Sequence, residues 1–276
     1  MPCTIRILTP NGLEAAPYTA ESLLDAARHE PAEGVYTITN TFERTKVLKI
    51  DAHLNRLEDS ARREGIPLAL DRPRLRAALR QLIEEADYGD VRFRVTVPRA
   101  DPSRLILSCE PFHPLPASVY ERGVRVVLIH GAARHNPAAK TSGWMVDRQA
   151  IEAALPEGVF TGILVGEHGE LLEGLSSNFY AILDGELWTA GGGVLPGIAQ
   201  QIVLEVAPGV LPVRREAPLA ADLPRLAEAF LTSASRGIVP IVQIHETVLG
   251  SGNPGPLTRD LRERYLAWAA VHMEGL

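Results

Sequence analysis

Residues 193–206 read GVLPGIAQQIVLEV, a glycine- and proline-rich turn that leads directly into an apolar helical pattern. The first N–H groups of a helix have no partner within the helix, and the helix dipole makes that end positive. The stretch therefore predicts a helix over 198–206 whose start is suited to bind phosphate. Taken alone the signal is weak, because many such turns bind nothing.

Upstream of this turn, residues 171–183 read LLEGLSSNFYAIL, in which Glu173 precedes a small-residue turn and then a strand. A carboxylate beside such a turn can pair with a protonated pyridine nitrogen and keep the ring electron-accepting. The alternative is a surface glutamate that flanks a turn. For Glu173 considered singly, that alternative is favoured.

Lys140 lies in HNPAAKTSGW, residues 135–144, a stretch of small residues between a predicted strand and a predicted helix. A lysine that attacks a carbonyl must be uncluttered and partly desolvated. The only other lysines in the sequence are Lys46 and Lys49. These two differ by three positions in a strand-like run, so we expect them on opposite sides with at least one facing solvent.

Arginines that suit anionic groups lie on two predicted elements. Arg56 belongs to an amphipathic helix over 51–64, with Asp51 as its cap and Leu54 and Leu57 on the apolar stripe. Arg56 can reach a phosphate, although a solvated helix arginine is the commoner case. Arg94 lies in an alternating, half-exposed strand over 91–97, where it either binds a substrate carboxylate or faces water.

The remaining hydrophobic pattern predicts a mixture of helices and strands. A further helix is expected over 72–87, and others near 145–154 and 257–271. Strands are expected at 4–8, in two runs within 34–50 broken near 42–45, and at 105–109, 124–129, 160–165, 178–183, 186–189 and 229–232.

The proline-rich stretch PFHPLPA at 111–117 is typical of a stiff extended connection. We therefore expect a small N-terminal domain at 1–112, a linker at 113–120 and a larger domain at 121–276. The net charge of −6 and the lack of basic runs disfavour a nucleic-acid partner. No membrane segment, secretion signal or metal site is expected, and two distant cysteines fit the cytoplasm.

Together these motifs resemble the fold-type IV, or class IV, pyridoxal-phosphate-dependent aminotransferases. That family includes branched-chain and D-amino-acid aminotransferases and aminodeoxychorismate lyase. The resemblance covers about residues 34–240. It rests on the order of AHLNRL at 52–57, K-x-x-x-aromatic at 140–144, EGLSSNF at 173–179, LPGI at 195–198 and TSASRGIVPI at 232–241.

The resemblance implies a role for each matching residue. Lys140 would be the Schiff-base lysine and proton shuttle, and Glu173 would be the partner of the pyridine nitrogen. Arg56, with the backbone N–H groups of Ile198 and Ala199, would cradle the cofactor phosphate.

Other roles follow from the same resemblance. Leu195 would pack on the cofactor ring, and Ser235 would lend a hydroxyl to the phosphate, although the register also allows Ala234 there. Tyr36 and Arg94 are the candidate substrate-binding residues. Three departures stand out: Trp144 replaces a usual Tyr, Ala199 a usual Thr or Ser, and Gln200 a usual Arg.

The resemblance also implies a two-domain α+β fold, with pyridoxal 5'-phosphate between the domains, and an obligate homodimer. The favoured function is transfer of an amino group between a small amino acid and a 2-keto acid. The second hypothesis is a lyase of the aminodeoxychorismate type that releases pyruvate, and the third is a cofactor-binding protein without catalysis. Side-chain preference and stereochemistry at the α-carbon are left open by the sequence.

Overall fold

A computed structural model describes residues 2–276 of the chain. Strands make up much of it, numbered in chain order as β1 Thr4–Thr9, β2 Gly12–Ala15, β3 Gly34–Asn40, β4 Lys46–Leu48, β5 Val91–Pro98, β6 Leu105–Pro111, β7 Val124–Ile129, β8 Thr161–Val165, β9 Leu171–Gly174, β10 Ser177–Leu183, β11 Glu186–Trp188, β12 Val213–Arg214, β13 Glu228–Ser233, β14 Gly237–Ile244, β15 Thr247–Val248 and β16 Met273–Gly275.

The α-helices are α1 Leu23–His29, α2 Ile50–Arg63, α3 Arg72–Ala86, α4 Ala117–Arg122, α5 Ser142–Ala153, α6 Ile198–Val206 and α7 Pro256–Val271. Short 3-10 helices follow at Ala207–Gly209 and Ala220–Arg225. In the described part of the chain, no helix combines the length and apolar character needed to cross a bilayer.

The chain divides into two compact units. The first unit contains the chain up to His113, together with Ala139–Val146 and His272–Leu276, and the second contains Pro114–Ala138 and Asp147–Val271. We keep the limits 1–112, 113–120 and 121–276 as a proposal for the domains.

In the first unit, the main sheet has the strand order β2-β1-β6-β5-β3, and every neighbouring pair is antiparallel. One face of the sheet packs against α2 and α3 through buried apolar residues that include Leu54, Leu79 and Phe93. The other face packs with α1 through a smaller cluster that includes Ile5 and Ala26. The sheet is therefore covered on both sides.

This double cover corrects the expectation of a half-exposed strand at 91–97. Arg94 and Thr96, placed on the exposed face by the alternating pattern, are 1% and 0% exposed. Glu30, just after α1, lies over them and accepts hydrogen bonds from both side chains. A buried charged residue such as Arg94 needs this kind of partner, because an unpaired buried charge is costly.

Helix α2 confirms the predicted amphipathic segment but corrects its cap. The N-cap is Lys49, in the left-handed region at φ 47°, and no side chain caps the helix there. Asp51 lies inside the first turn instead, where its carboxylate is 2.8 Å from an Arg76 guanidinium nitrogen. An acidic residue in a first turn still favours the helix through the dipole.

In the second unit, six strands close into a barrel. Strand β9 pairs with both β8 and β10, so the order β10-β13-β14-β7-β8-β9 returns to β10. The pairs β14–β7 and β7–β8 are parallel, and the barrel interior is filled by apolar residues such as Phe179, Leu231 and Ile163. Strand β14 was not expected. Pro240 lies in its middle and has no N–H to donate to a neighbouring strand.

Helix α6, expected at 198–206, is found over those residues and packs on the barrel together with α7. Among the other expected helices and strands, the two runs within 34–50 are confirmed as β3 and β4. The protein has mixed helices and sheets in two units, as the α+β expectation required.

Candidate active site

The first unit presents three polar residues on one face of α2. His53, Arg56 and Ser60 follow one another at spacings of three and four residues, so they share a face of the helix. Their exposed fractions are 1%, 9% and 0%. Burial of polar side chains at helical spacing indicates that this face of α2 lies against partner groups rather than solvent.

One of these partner groups is the main chain of Lys140. The Lys140 N–H donates to Ser60 Oγ at 3.0 Å, and the Lys140 carbonyl oxygen accepts from the Tyr36 N–H at 3.0 Å. Residues before α5 have no regular structure here, as the sequence predicted. Lys140 is thus fixed through its backbone to α2 on one side and β3 on the other.

The side chain of Lys140 extends over an aromatic ring. Its Nζ lies 4.7 Å from the centroid of the Tyr36 ring, within the range of a cation–π contact. Tyr36 is 3% exposed, so the ring forms a rigid floor under the amine. The structure therefore brings Tyr36 to Lys140.

His53 is held neutral beneath these cations. Its Nδ1 shares a 2.9 Å hydrogen bond with Thr37 Oγ1, and both residues are buried. Burial lowers the pKa of His53 well below its usual value, and the positive charges of Arg56 and Lys140 lower it further. His53 therefore adds no third positive charge at neutral pH.

The other two lysines occupy different settings. Lys46 is exposed and its Nζ contacts Glu43 Oε2 at 2.7 Å, which confirms that at least one of the pair faces solvent. Lys49 is the N-cap of α2 rather than a strand residue. Lys140, by contrast with Lys46, extends over a buried aromatic ring, that of Tyr36.

Arg94, the second candidate for substrate binding, is enclosed within the first unit. Its guanidinium pairs with Glu30 and donates to the Leu23 carbonyl oxygen at 2.7 Å. Both side chains of the ion pair are 2% exposed. This arrangement fastens α1 to β5, and a substrate role for Arg94 stays a prediction that the geometry does not favour.

Trp144 stands where the resembling family has tyrosine, and it is 7% exposed at the start of α5. Its backbone N–H lies 3.4 Å from Thr141 Oγ1, which closes the first turn of the helix. An indole ring has only its N–H as a polar group and accepts no hydrogen bond there. The site therefore lacks a tyrosine hydroxyl at this position.

In the second unit, Glu173 is a buried strand residue and not a surface turn glutamate. It lies on β9 and is 3% exposed. Its Oε2 accepts a hydrogen bond from the Leu195 N–H at 3.2 Å, and its Oε1 lies 3.3 Å from an Arg134 guanidinium nitrogen. A buried carboxylate with a cationic and an amide partner is stabilised in its charged form.

The turn before α6 is held by a second buried side chain. Asn178 on β10 donates from Nδ2 to the Leu195 carbonyl oxygen at 2.8 Å. The turn ends at Gly197, the N-cap of α6, and no side chain caps the helix. The amides of Ile198 and Ala199 in this first turn have no intrahelical acceptor, so an anion is their natural partner.

Ser235 lies in the turn between β13 and β14 and is half-buried, as is Ala234. The neighbouring Arg236 braces this turn by donating from Nε to Ser233 Oγ at 2.8 Å. It also donates to the Ser176 carbonyl oxygen at 3.1 Å, in the β9–β10 turn. The turn that holds Ser235 is therefore tied to the one that follows Glu173.

Glu173 and Arg134 also form part of the wall of a cavity of about 1170 Å³ in the second unit. Its other walls come from the loop at 130–137, from β8 and β9, and from the glycines at 191–193. The volume exceeds that of a typical small-molecule pocket, so Glu173 borders space that a ligand can enter.

Several of these contacts were not among the residues singled out from the sequence. Ser60, His53, Arg134 and Asn178 were missed, although Asn178 is part of the EGLSSNF motif and His53 of AHLNRL. For Asn178 and His53, membership of these motifs was the only signal in the sequence. No local pattern shows that Arg134 meets Glu173, because 39 positions separate them.

The residues fit pyridoxal phosphate on two independent observations. The N-cap of α6 is Gly197, and a Cβ on that residue would lie 1.9 Å from Asn178 Oδ1. The turn therefore has room only for a residue without a side chain. Glu173 is a buried carboxylate, as a ring nitrogen requires for its charged form. Backbone amides for the phosphate and a carboxylate for the ring are thus both present.

Comparison with known proteins identifies the family of the chain. The amino-transferase class IV family matches residues 34–244. The chain is 29% identical over 240 residues to a probable branched-chain-amino-acid aminotransferase of Thermotoga maritima, covering 84% of each chain. It is 24% identical to D-alanine aminotransferase of Bacillus licheniformis, covering 83% of this chain and 85% of that one.

Among solved structures, the fold is similar to a T.th. branched-chain amino acid aminotransferase with pyridoxamine 5'-phosphate. The TM-score is 0.81 at 19% identity, covering 98% of both chains. The fold is that of the class IV aminotransferases, enzymes that use a pyridoxal-type cofactor. The chain belongs to the class IV aminotransferase family.

It is therefore an enzyme, a pyridoxal-phosphate-dependent aminotransferase that acts on amino acids and keto acids. The recognition of the family, the two-domain α+β fold class and the cofactor expected from the sequence are confirmed. No comparison favours the lyase or the binding protein without catalysis.

Proposed function

We propose that Lys140 is the lysine that holds pyridoxal 5'-phosphate covalently and then moves the proton of the substrate. The support is its geometry: the backbone is fixed by Ser60 and Tyr36, and Nζ lies over the Tyr36 ring. A fixed backbone with an extended side chain places the amine reproducibly, as proton transfer requires. Tyr36 then serves to position Lys140 in addition to any contact with substrate.

The remaining cofactor contacts are proposed from the same structure. Glu173 would pair with the pyridine nitrogen, and the amides of Ile198 and Ala199 would bind the phosphate, with Arg56 and Ser235 as further donors. Leu195 would pack on the ring. The observation that carries the proposal is the bond from the Leu195 N–H to Glu173, since it places the carboxylate beside the turn that starts α6.

When bound, the cofactor supplies an electron-accepting ring that stabilises the negative charge left at the substrate α-carbon. The protein's own residues do the rest. Lys140 Nζ takes the α-proton and later returns a proton, because an amine can act as base and then as acid. Glu173 keeps its negative charge beside Arg134 and so favours a protonated ring nitrogen.

The test of the lysine is covalent labelling. Borohydride reduction of the holoenzyme attaches the cofactor permanently to its lysine, and peptide mass spectrometry then locates the label. We expect it at Lys140, with none at Lys46 or Lys49. A label at either of those two lysines would overturn the assignment, and Lys140→Ala should take up no label.

For substrates, we propose small aliphatic amino acids and their 2-keto acids. The names of the relatives from Thermotoga maritima and Bacillus licheniformis support this class. A panel of L-valine, L-leucine, L-isoleucine and D-alanine, each given alone to the holoenzyme, tests it through the cofactor spectrum. Conversion by the L-amino acids only, or by D-alanine only, would also fix the stereochemistry.

We also propose that the enzyme is a homodimer in the cytoplasm. The apolar side chains of Leu24, at 52% exposure, and Val146, at 50%, are those of the first unit that we expect to contact the second copy. Cys3 and Cys109 are free and buried, and burial raises the pKa of each thiol to about 12, as suits a reducing compartment. Light scattering coupled to gel filtration tests the dimer, with a mass of one chain as the contradicting result.

A further inference from the structure

Asn178 makes contacts that no catalytic assignment so far explains. It is 5% exposed on β10, directly opposite Glu173 in the β9–β10 ladder. Residues directly opposite each other in antiparallel strands place their side chains on the same face of the sheet. Asn178 and Glu173 therefore extend together toward the turn that precedes α6.

Both side chains form hydrogen bonds with the backbone of one residue of that turn, Leu195. Glu173 Oε2 accepts from the Leu195 N–H at 3.2 Å, and Asn178 Nδ2 donates to the Leu195 carbonyl oxygen at 2.8 Å. The two polar atoms of the Leu195 backbone are thus held by neighbouring strands of the barrel. This fixes the orientation of the peptide as well as its position.

The rest of the Asn178 side chain lies against the start of α6. A Cβ added to Gly197 would lie 1.9 Å from Asn178 Oδ1, far inside any allowed contact. Gly197 has φ −71°, a conformation open to every residue, so glycine is needed there for space and not for backbone freedom. The carboxamide therefore occupies the place beside the helix cap that a side chain would fill.

We propose that Asn178 is a positioning residue that sets the distance between Glu173 and the N-terminus of α6. It thereby couples the contact to the ring nitrogen with the contact to the phosphate. The inference rests on the proposed function, which assigns the ring nitrogen to Glu173 and the phosphate to Ile198 and Ala199. A rigid cofactor that must meet both contacts at once depends on their spacing, because misplacement of either loses binding energy.

The spacing can be tested by comparing two ligands of the apoprotein. Pyridoxal 5'-phosphate needs both contacts, whereas pyridoxal, without the phosphate, needs only the ring contact. The affinity ratio is the affinity for pyridoxal 5'-phosphate divided by the affinity for pyridoxal. We expect Asn178→Ala to reduce this ratio about tenfold, which is the upper range for the loss of one hydrogen bond. Fluorescence titration of apoprotein measures both dissociation constants without any turnover.

Asn40→Ala is the matched control. Asn40 is also a buried asparagine, 1% exposed, and donates from Nδ2 to a main-chain carbonyl oxygen, that of Thr41, at 3.0 Å. It lies at the end of β3 and has no assigned role in the site. We expect Asn40→Ala to lower Tm but leave the affinity ratio unchanged.

A second measurement uses Gly197→Ala, whose new methyl must displace the Asn178 carboxamide. If both substitutions act through the same contact, the affinity ratio of Gly197→Ala/Asn178→Ala should be no lower than that of the worse single variant. Losses that add in full would contradict the proposal. Should Asn178→Ala fail to fold, Asn178→Asp keeps the side-chain size and faces the Leu195 carbonyl oxygen with a carboxylate, so the same fall in ratio is expected.

The outcomes separate this inference from the function on which it rests. If wild type binds pyridoxal as tightly as its phosphate, the proposed phosphate cradle is wrong. If wild type prefers the phosphate but Asn178→Ala weakens both ligands equally, the cradle stands and Asn178 is only a structural residue. A ratio that falls in Asn178→Ala and not in Asn40→Ala supports the coupling.

Discussion

Helices α2 and α6, which lie in different units, carry two different kinds of donor for anions. Helix α2 offers a side chain, since Arg56 lies on its buried face. Helix α6 offers its own backbone, since Gly197 caps it and its first turn carries Ile198 and Ala199. One helix therefore contributes a full charge, and the other contributes amide dipoles.

The difference shows what each helix requires from its surroundings. A guanidinium brings its charge with it and tolerates small shifts of the helix, because a long side chain can adjust. Backbone amides cannot adjust, so their helix must be held in place by other residues. In this protein Glu173 and Asn178 hold the turn before α6 through Leu195.

The largest effect is expected from Glu173→Gln, which removes a charge on the α6 side while keeping the shape. Loss of a preorganised charge that acts in the transition state costs roughly 10²- to 10³-fold in kcat. We expect kcat of the amino-donor half-reaction to fall by about that factor, with cofactor retention nearly unchanged. Single-turnover absorbance at matched cofactor occupancy measures it.

Glu228→Gln is a matched control for this change. Glu228 is also a buried glutamate that accepts backbone N–H groups, those of Leu257 and Thr258 at 3.1 and 2.7 Å, at the start of α7. Its substitution should lower Tm without slowing the half-reaction. Equal half-reaction rates for wild type and Glu173→Gln would mean that the ring nitrogen has another partner.

The sequence allowed much of this comparison to be predicted. Helix α6 was predicted with the bounds that the structure has, from the glycine- and proline-rich turn and the apolar period after it. The bounds of α2 were predicted to within one residue, from its amphipathic stripe. Both signals are local, since they depend on residues within a turn or two of each other. Lys140 was predicted because so few lysines compete with it.

Contacts between distant segments could not be predicted in the same way. The hydrogen bonds of Glu173 and Asn178 with Leu195 require β9, β10 and the turn before α6 to lie close together. No local sequence pattern shows that these segments are neighbours. The Glu30–Arg94 ion pair was missed for the same reason: the partner lies 64 positions away, near a helix that was not expected. Alternation alone placed Arg94 on an exposed face, open to substrate or to water, because it cannot show that α1 covers that face.

The next largest effect is expected on the α2 side. Arg56→Ala removes the proposed charge-assisted contact to the phosphate. Such a contact is worth about 1.5 to 3 kcal/mol, so the dissociation constant of the cofactor should rise roughly ten- to hundredfold. The effect on kcat at full occupancy should be smaller, because an anchor contacts ground and transition states alike. Arg62→Ala, on the exposed side of α2 with its guanidinium paired to Asp59, is the control and should retain cofactor normally.

A smaller effect is expected from His53, which makes the stability of the α2 side depend on pH. The pKa of His53 in the folded protein lies well below its usual 6.5, so the unfolded chain binds the extra proton first as the pH falls. The stability that neutral His53 contributes is complete above about pH 6.5 and is lost as the pH falls toward the folded-state pKa. We expect the free energy of unfolding to lose about 1.4 kcal/mol per pH unit from this residue within that window.

Urea denaturation between pH 7.5 and 5 measures this slope for wild type and His53→Gln. The glutamine has no proton to gain, so the difference between the two proteins should shrink steadily as the pH falls. A difference that stays constant over the range would show that the pKa of His53 is the same in the folded and the unfolded protein. The Arg56 and Lys140 charges next to His53 would then need other compensation.

The smallest effect is expected from giving α6 the side-chain donor it lacks. Ala199 is 2% exposed in the first turn, at a position where the resembling family commonly has Thr or Ser. Ala199→Ser adds one hydroxyl beside the proposed phosphate, and a neutral hydrogen bond there is worth about 0.5 to 1.5 kcal/mol. Part of that gain is offset by burial of the hydroxyl in the apoprotein, so we expect cofactor affinity to rise only about threefold.

Ala207→Ser, just past the other end of the helix at a fully buried alanine, carries the same added hydroxyl and should lower Tm without tighter binding. Titration of the three apoproteins with pyridoxal 5'-phosphate gives the comparison. If Ala199→Ser binds no tighter than wild type while Ala207→Ser only loses stability, then the backbone amides of α6 already saturate the phosphate on that side, and the family's hydroxyl is dispensable here.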